Sequence, residues 1–114
     1  MIPTGTLALT ARSLLPLRVA GLLEECADLG VTPIGYSPLA LGVLSGKYSA
    51  ERLPSGPRAL VFKALLPSLR PLLGTLNEVA AARRVSPSAV AIAWAMSKGV
   101  LVIVGMRTPE QVSD

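Results

Sequence analysis

An α/β fold with parallel strands joined by a helical crossover is what this sequence predicts. Val100 to Val104 is an unbroken apolar run, mostly β-branched, the composition of a parallel strand covered on both faces. Ser86-Pro87-Ser88 opens the helix that precedes it, with a serine cap and a proline in the first turn. Further back, Val31 to Tyr36 reads as another strand, and it runs into a glycine-rich loop. The order helix, strand, loop, two helices, strand, helix start is a βαβ crossover with one preceding helix, the connection that parallel strands require.

Residues 1–20 hold Arg12, Arg18, three threonines and no acid. They are either part of an organelle transit peptide, which is rich in basic and hydroxyl residues, or a divergent stretch of the fold that follows. From Gly21, Leu22, Leu23, Cys26 and Leu29 recur at spacings of three and four, which predicts a short helix ended by Gly30. Glu24, Glu25 and Asp28 fall on its solvated side. Pro33 sits near the start of the Val31–Tyr36 strand, where a missing N–H does least harm. Glu51 to Arg58 is polar and turn-rich, either a lid or a plain linker. Leu65, Leu69, Leu72, Leu73, Leu76, Val79 and Ala80 mark a helical face. Pro67 and Pro71 resist interior helix positions, so this helix is expected to begin at Pro71. Arg83-Arg84 then suits the negative end of its dipole. The helix after Ser86 runs to Lys98, stops at Gly99 and is apolar nearly all round, so it is expected to be buried. Its Trp94 is either core filling or a stacking platform. After the last strand, Thr108 and Pro109 cap and open a further helix.

Composition narrows the function. At 114 residues the chain is one domain at most, and its 51% apolar content suits a core, not disorder. The net charge of +4 comes from scattered bases without interleaved aromatics, which argues against nucleic acid and for a small anionic ligand. No 18-residue apolar stretch lacks a charge, so no membrane span is expected. A single cysteine gives neither an internal disulfide nor metal-ligand spacing, and Cys26 reads as a buried thiol. Histidine is absent, which removes the commonest general base and excludes a Ser-His or Cys-His nucleophile pair.

The chemistry concentrates in two turns. Gly35-Tyr36-Ser37-Pro38-Leu39-Ala40, with Gly42 and Ser45-Gly46-Lys47-Tyr48, ends a strand in a loop of small residues closed by a lysine. Such a loop brings backbone N–H groups close to an anion, although most loops of this composition are only loops. Gly105-Met106-Arg107-Thr108-Pro109-Glu110-Gln111 places an arginine and a helix start just past the last strand.

Both strings, in this order and with Ala89 to Trp94 between them, resemble the aldo-keto reductases. These are NADPH-dependent oxidoreductases built on a (β/α)8 barrel. The likeness is greatest to the pyridoxal-reductase-like enzymes and potassium-channel beta subunits. It covers residues 21–114, and Ser13-Leu14-Leu15 is similar to the family's strand-six region. A whole barrel takes about 250 residues, so the resemblance implies a partial (β/α)8 barrel: its last two parallel strands with their helices. It also implies a cofactor, NADP(H). Tyr36 would stack on the nicotinamide, and Ser37, Pro38, Leu39 and Ala40 would meet the pyrophosphate with Lys47 nearby. Gly105 and Arg107 would hold the 2′-phosphate, with Met106 where the family has a small residue. Gln111 would meet the adenine edge, and Asp114 matches a further family acid. Arg58 is either a phosphate contact or a solvated arginine.

The family's catalytic Asp, Tyr, Lys and His lie on earlier strands, and this chain has no histidine. The expected function is therefore the NADPH-binding part of an aldo-keto reductase. The alternative is a non-catalytic NADP(H)-binding pseudo-reductase or an interaction fragment. Expected partners are NADPH and a complementary chain carrying the rest of the barrel, in the cytoplasm or chloroplast. Two strands with open edges predict association or aggregation.

Overall fold

The computed structural model describes residues 5–10 and 16–114, and side chains from residue 21 onward. In chain order it comprises β1 (Gly5–Thr10), α1 (Pro16–Asp28), β2 (Val31–Tyr36), a 3-10 segment (Ala40–Ser45), α2 (Arg58–Arg83), α3 (Pro87–Ser97), β3 (Leu101–Ile103) and α4 (Pro109–Ser113). The strands form one parallel sheet in the order β1-β2-β3. The sheet thus has a third strand where the sequence predicts two, and α1 begins at Pro16, ahead of the expected Gly21. The Ser13-Leu14-Leu15 resemblance lies outside the described residues.

The register decides which side of the sheet is covered. Ile34 pairs with Leu101, Gly35 with Val102 and Tyr36 with Ile103. Residues paired in register share a face and alternate along each strand. Val100 and Val102 pack against Leu23 of α1 and Ala95 of α3, so both helices cover that face. The other face carries Tyr36, Leu101 and Ile103, which are 46%, 53% and 54% exposed. The expectation that both faces of the last strand are covered is therefore corrected: only Val100 is buried, and the strand pairs with β2 alone among the described residues. Helices on one side only, with apolar side chains on the other, is how a barrel segment is wound.

α3 follows its predicted bounds. Ser86 Oγ accepts the Ala89 N–H at 3.0 Å, and Gly99 takes φ +78° just past the end. Its burial is one-sided, contrary to expectation: Ala91 and Ala95 are buried while Trp94 and Met96 stand about half or more exposed. An apolar helix is buried only where a neighbour exists, and here the neighbours are α2, β3 and the 3-10 segment. Trp94 is not core filling in this chain. Lys98 Nζ lies 5.5 Å from its ring centroid.

α2 also departs from expectation. It begins at Arg58, not Pro71, and runs through both Pro67 and Pro71. An interior proline costs roughly 3 kcal/mol. Phe62 and Leu66, each 2% exposed, pack with Val43 beneath the 3-10 segment. Each such burial is worth roughly 1.5–3 kcal/mol, and a helix starting at Pro71 would forfeit both. Leu69 and Leu73 join that cluster, whereas Leu65, Leu72 and Val79 face outward. Arg84 ends the helix at φ 56°, with its N–H on the Ala81 carbonyl and that of Val85 on Ala80, a Schellman closure. Among the described residues α2 is the helix long and apolar enough to cross a membrane, by length and composition.

In α1, Cys26 is buried as expected. Leu29 is exposed, because the helix ends at Asp28 and Leu29 falls in the turn closed by Gly30 at φ +66°.

Candidate functional site

The carboxyl ends of the strands lie side by side. Tyr36 pairs with Thr10 on one flank and Ile103 on the other, so the two predicted turns leave the sheet at neighbouring positions. Ligands of parallel α/β sheets gather at that edge, and barrel enzymes frequently bind phosphate after their last two strands.

The loop after β2 holds an unusual backbone. Ser37, Ala40 and Leu41 have φ of 53°, 49° and 61°, and Gly42 follows at 99°. A left-handed non-glycine residue costs roughly 1–2 kcal/mol, so the surroundings must enforce this path. Ala40 N–H donates to the Ser37 carbonyl at 3.0 Å, and Gly42 and Leu44 N–H groups donate to Leu39 at 3.0 and 3.1 Å. Pro38 and Val43 are buried and anchor the loop from below. Strain of this kind clusters at ligand-binding segments. Glycine spacing signals Gly42 and Gly46; nothing in the sequence signals Ser37, Ala40 or Leu41.

The basic residues reach the loop from two directions. Lys47 Nζ lies 5.6 Å from the Tyr48 ring centroid, and that ring meets Phe62 edge-on at 5.4 Å. Arg58, at the start of α2, points Nη1 at the Leu41 carbonyl across a long 3.5 Å contact. The arginine left open between two readings thus stands beside the loop, exposed on its other sides. Tyr36 presents an exposed ring at the strand end.

In the second turn Gly105, Met106 and Arg107 are all exposed. Thr108 Oγ1 accepts the Gln111 N–H at 3.3 Å, while Gln111 Oε1 accepts the N–H of Arg107 at 2.6 Å and of Thr108 at 3.3 Å. This is a capping box, and it ties the arginine's backbone to α4. Glu110 beside it is held below the usual carboxylate pKa by its own backbone N–H and by the Thr108 hydroxyl.

The far end of the first turn and the end of α4 both reach the start of α3. A Cβ on Gly46 would stand 2.9 Å from Pro87 Cγ. Ser86 Oγ donates to Asp114 Oδ2 at 2.6 Å while accepting from Ala89. Ser86 therefore links the end of α4, the helix that follows the second turn, to the helix against which the first turn rests. Sequence reasoning saw it only as a cap, because a contact spanning 28 residues leaves no local signal. Two cavities adjoin the loop. One of about 340 Å³ lies between Gly46–Glu51 and α2, where Arg70 pairs with Glu51 at 3.5 Å. The other runs from Lys47 to Ser55. Neither is lined by the second turn.

Comparison with known proteins bears on this arrangement. A family model described as the Aldo/keto reductase family matches residues 11–114. The chain is 47% identical over 89 residues to a chloroplastic pyridoxal reductase of Arabidopsis thaliana, covering 78% of this chain and 24% of that protein. It is 45% identical over 83 residues to an uncharacterized oxidoreductase of Mycobacterium tuberculosis, covering 69% and 26%. With an L-glyceraldehyde 3-phosphate reductase of Escherichia coli the identity is 31% over 105 residues, covering 83% and 30%. The chain thus spans about a quarter of the length of the curated relatives it matches.

Proposed function

The chain belongs to the aldo/keto reductase family, and from that premise we propose that it binds NADP(H) across its two turns as the cofactor-holding part of a carbonyl reductase. The observation that carries the reading is the pairing of Tyr36 with Ile103, which starts both turns side by side at the carboxyl edge of the sheet. A dinucleotide needs an aromatic face, close backbone and cations along one line, and the residues present fit it. Tyr36 offers its exposed ring to the nicotinamide. The left-handed path through Ser37 and Ala40 to Gly42 keeps Cβ atoms out of the way of a pyrophosphate. Lys47 and Arg58 flank that loop, and Arg107 with Gly105 stands at the 2′-phosphate.

When bound, the cofactor supplies a hydride for carbonyl reduction. These residues bind and orient it. The proton donor that completes the reduction would come from outside these 114 residues, since no histidine is present and Lys47, Tyr36 and Tyr48 all serve the cofactor end. Arranged alone, the chain holds the dinucleotide without turning over simple aldehydes. The same lack of histidine favours a second reading, a pseudo-reductase that binds NADP(H) without chemistry. The rest of the barrel, which would lie against the open face of Leu101 and Ile103, is the expected partner. The chloroplastic Arabidopsis relative favours the chloroplast over the cytoplasm.

Fluorescence of the single tryptophan, Trp94, tests the binding claim. Saturable quenching by NADPH is expected, and no quenching from a folded chain would refute it. Adding the front segment of a relative then separates the two readings: restored aldehyde turnover supports the reductase, and binding without turnover supports the pseudo-reductase.

A further inference from the structure

We propose that the outward face of α2 docks a partner helix that carries the same apolar period and acidic residues at both its ends. Val61, Leu65, Ser68, Leu72, Thr75 and Val79 follow one another along α2 at alternating spacings of four and three. Residues so spaced form one stripe, the seam by which helices pair. Phe62, Leu66 and Leu73 use the adjoining face to hold the 3-10 segment. The four apolar members of the stripe are all at least 40% exposed. One exposed leucine is ordinary, whereas a continuous apolar stripe marks an interaction surface. Its polar members are already satisfied. Ser68 Oγ donates to the Leu65 carbonyl at 2.7 Å, and Thr75 Oγ1 donates to the Pro71 carbonyl at 3.2 Å. A hydroxyl bonded to its own helix can be covered without orphaning a donor. The stripe is therefore apolar in effect, and its period fits a helix.

Charge selects which helix. Arg58 precedes Val61 by three residues and Arg83 follows Val79 by four, so an arginine continues the stripe at each end. Glu78 is the single acid of α2 against four bases. A second copy would set Arg58 against Arg83 in antiparallel pairing, or each against itself in parallel pairing, and like charges suppress such pairings. A helix with an acid at each end meets both arginines. Arg58 also reaches the Leu41 carbonyl, so Arg83 is the cleaner probe of this contact.

The test titrates the full chain into a labelled helical peptide of roughly 25 residues, long enough to span α2, with leucines at the same alternation and glutamates at both ends. Anisotropy is read at low and high salt. Saturable binding that weakens with salt is expected. Leu72→Gln should weaken it at least about tenfold, the scale of one buried leucine, and should leave the urea midpoint in place because Leu72 is exposed. Arg83→Glu should weaken it roughly threefold, and a peptide with lysine at the end that faces residue 83 should recover the loss. Equal binding of a scrambled or a lysine-ended peptide to the unaltered chain, or no binding by a folded chain, would overturn the proposal. Dimers that disappear in Leu72→Gln, without peptide binding, would make a second copy the occupant and overturn it too. So would capture by anionic vesicles in place of the peptide, or displacement of the peptide by the front segment of a relative, which would give the stripe to the rest of the barrel.

Discussion

Replacing Gly46 by alanine probes the joint between the first turn and α3. Two costs can be worked from the structure. Gly46 has φ +75°, and forcing a Cβ into that region costs roughly 1–2 kcal/mol. The new Cβ would also stand 2.9 Å from Pro87 Cγ and 3.3 Å from Pro87 Cβ. Carbon atoms prefer about 3.5–4.0 Å, and a proline ring has no rotamer by which to withdraw. Overpacking of this kind costs roughly 1–3 kcal/mol. Gly56 supplies the control, since its φ is +79° and a Cβ there meets nothing within 4 Å. Gly56→Ala should lose only the conformational part. Urea denaturation of the three proteins, compared by midpoint at constant slope, should place Gly46→Ala below Gly56→Ala by roughly 1–3 kcal/mol. NADPH affinity should fall in Gly46→Ala alone. Equal stability losses in the two variants would mean that the loop does not rest on α3 and would refute the joint.

Other consequences are open to direct measurement. Phe62→Ala empties a site 2% exposed beneath the loop and should cost roughly 3–5 kcal/mol in denaturant; a loss under about 1 kcal/mol would mean that the loop is not anchored there. Ser86→Ala removes both the α3 cap and the bond to Asp114, so a loss of about 1 kcal/mol is expected, with faster amide exchange in α4. The Glu51 carboxyl is held below its ordinary value of 4.5 by the Ser49 side chain first, then its own backbone N–H and Arg70. A depressed folded pKa contributes stability that is present above the unfolded value and lost as pH falls through the folded one. Glu51→Gln should therefore flatten the acid limb of stability below about pH 4.5, and an unchanged limb would count against the bond to Ser49. The open face of Tyr36, Leu101 and Ile103 predicts self-association that grows with concentration, which light scattering reads; a monomer at high concentration contradicts it.

Legibility in the sequence followed the range of the interactions. The capped start at Ser86-Pro87, the Gly99 stop, β2 and the Thr108 cap are set by neighbours in the chain, and all appear where the sequence predicts them. The start of α2 did not, because local proline chemistry was outweighed by the burial of Phe62 and Leu66 under the 3-10 segment. Burial was misjudged for β3 and α3 for a related reason: an apolar run announces that a surface wants covering, not that a neighbour covers it. In the candidate site, residue types and glycine spacing revealed the two turns. The strained path at Ser37, Ala40 and Leu41 and the Ser86–Asp114 bond depend on tertiary packing, and no string of residues spells them out.

The central claim is that two turns of one chain hold one dinucleotide. Amide chemical shifts recorded while NADPH is added test it most directly. Resonances of Tyr36 to Lys47 and of Gly105 to Gln111 should move together, with a common half-saturation point. Movement confined to one turn, or none in a folded chain, would contradict the account.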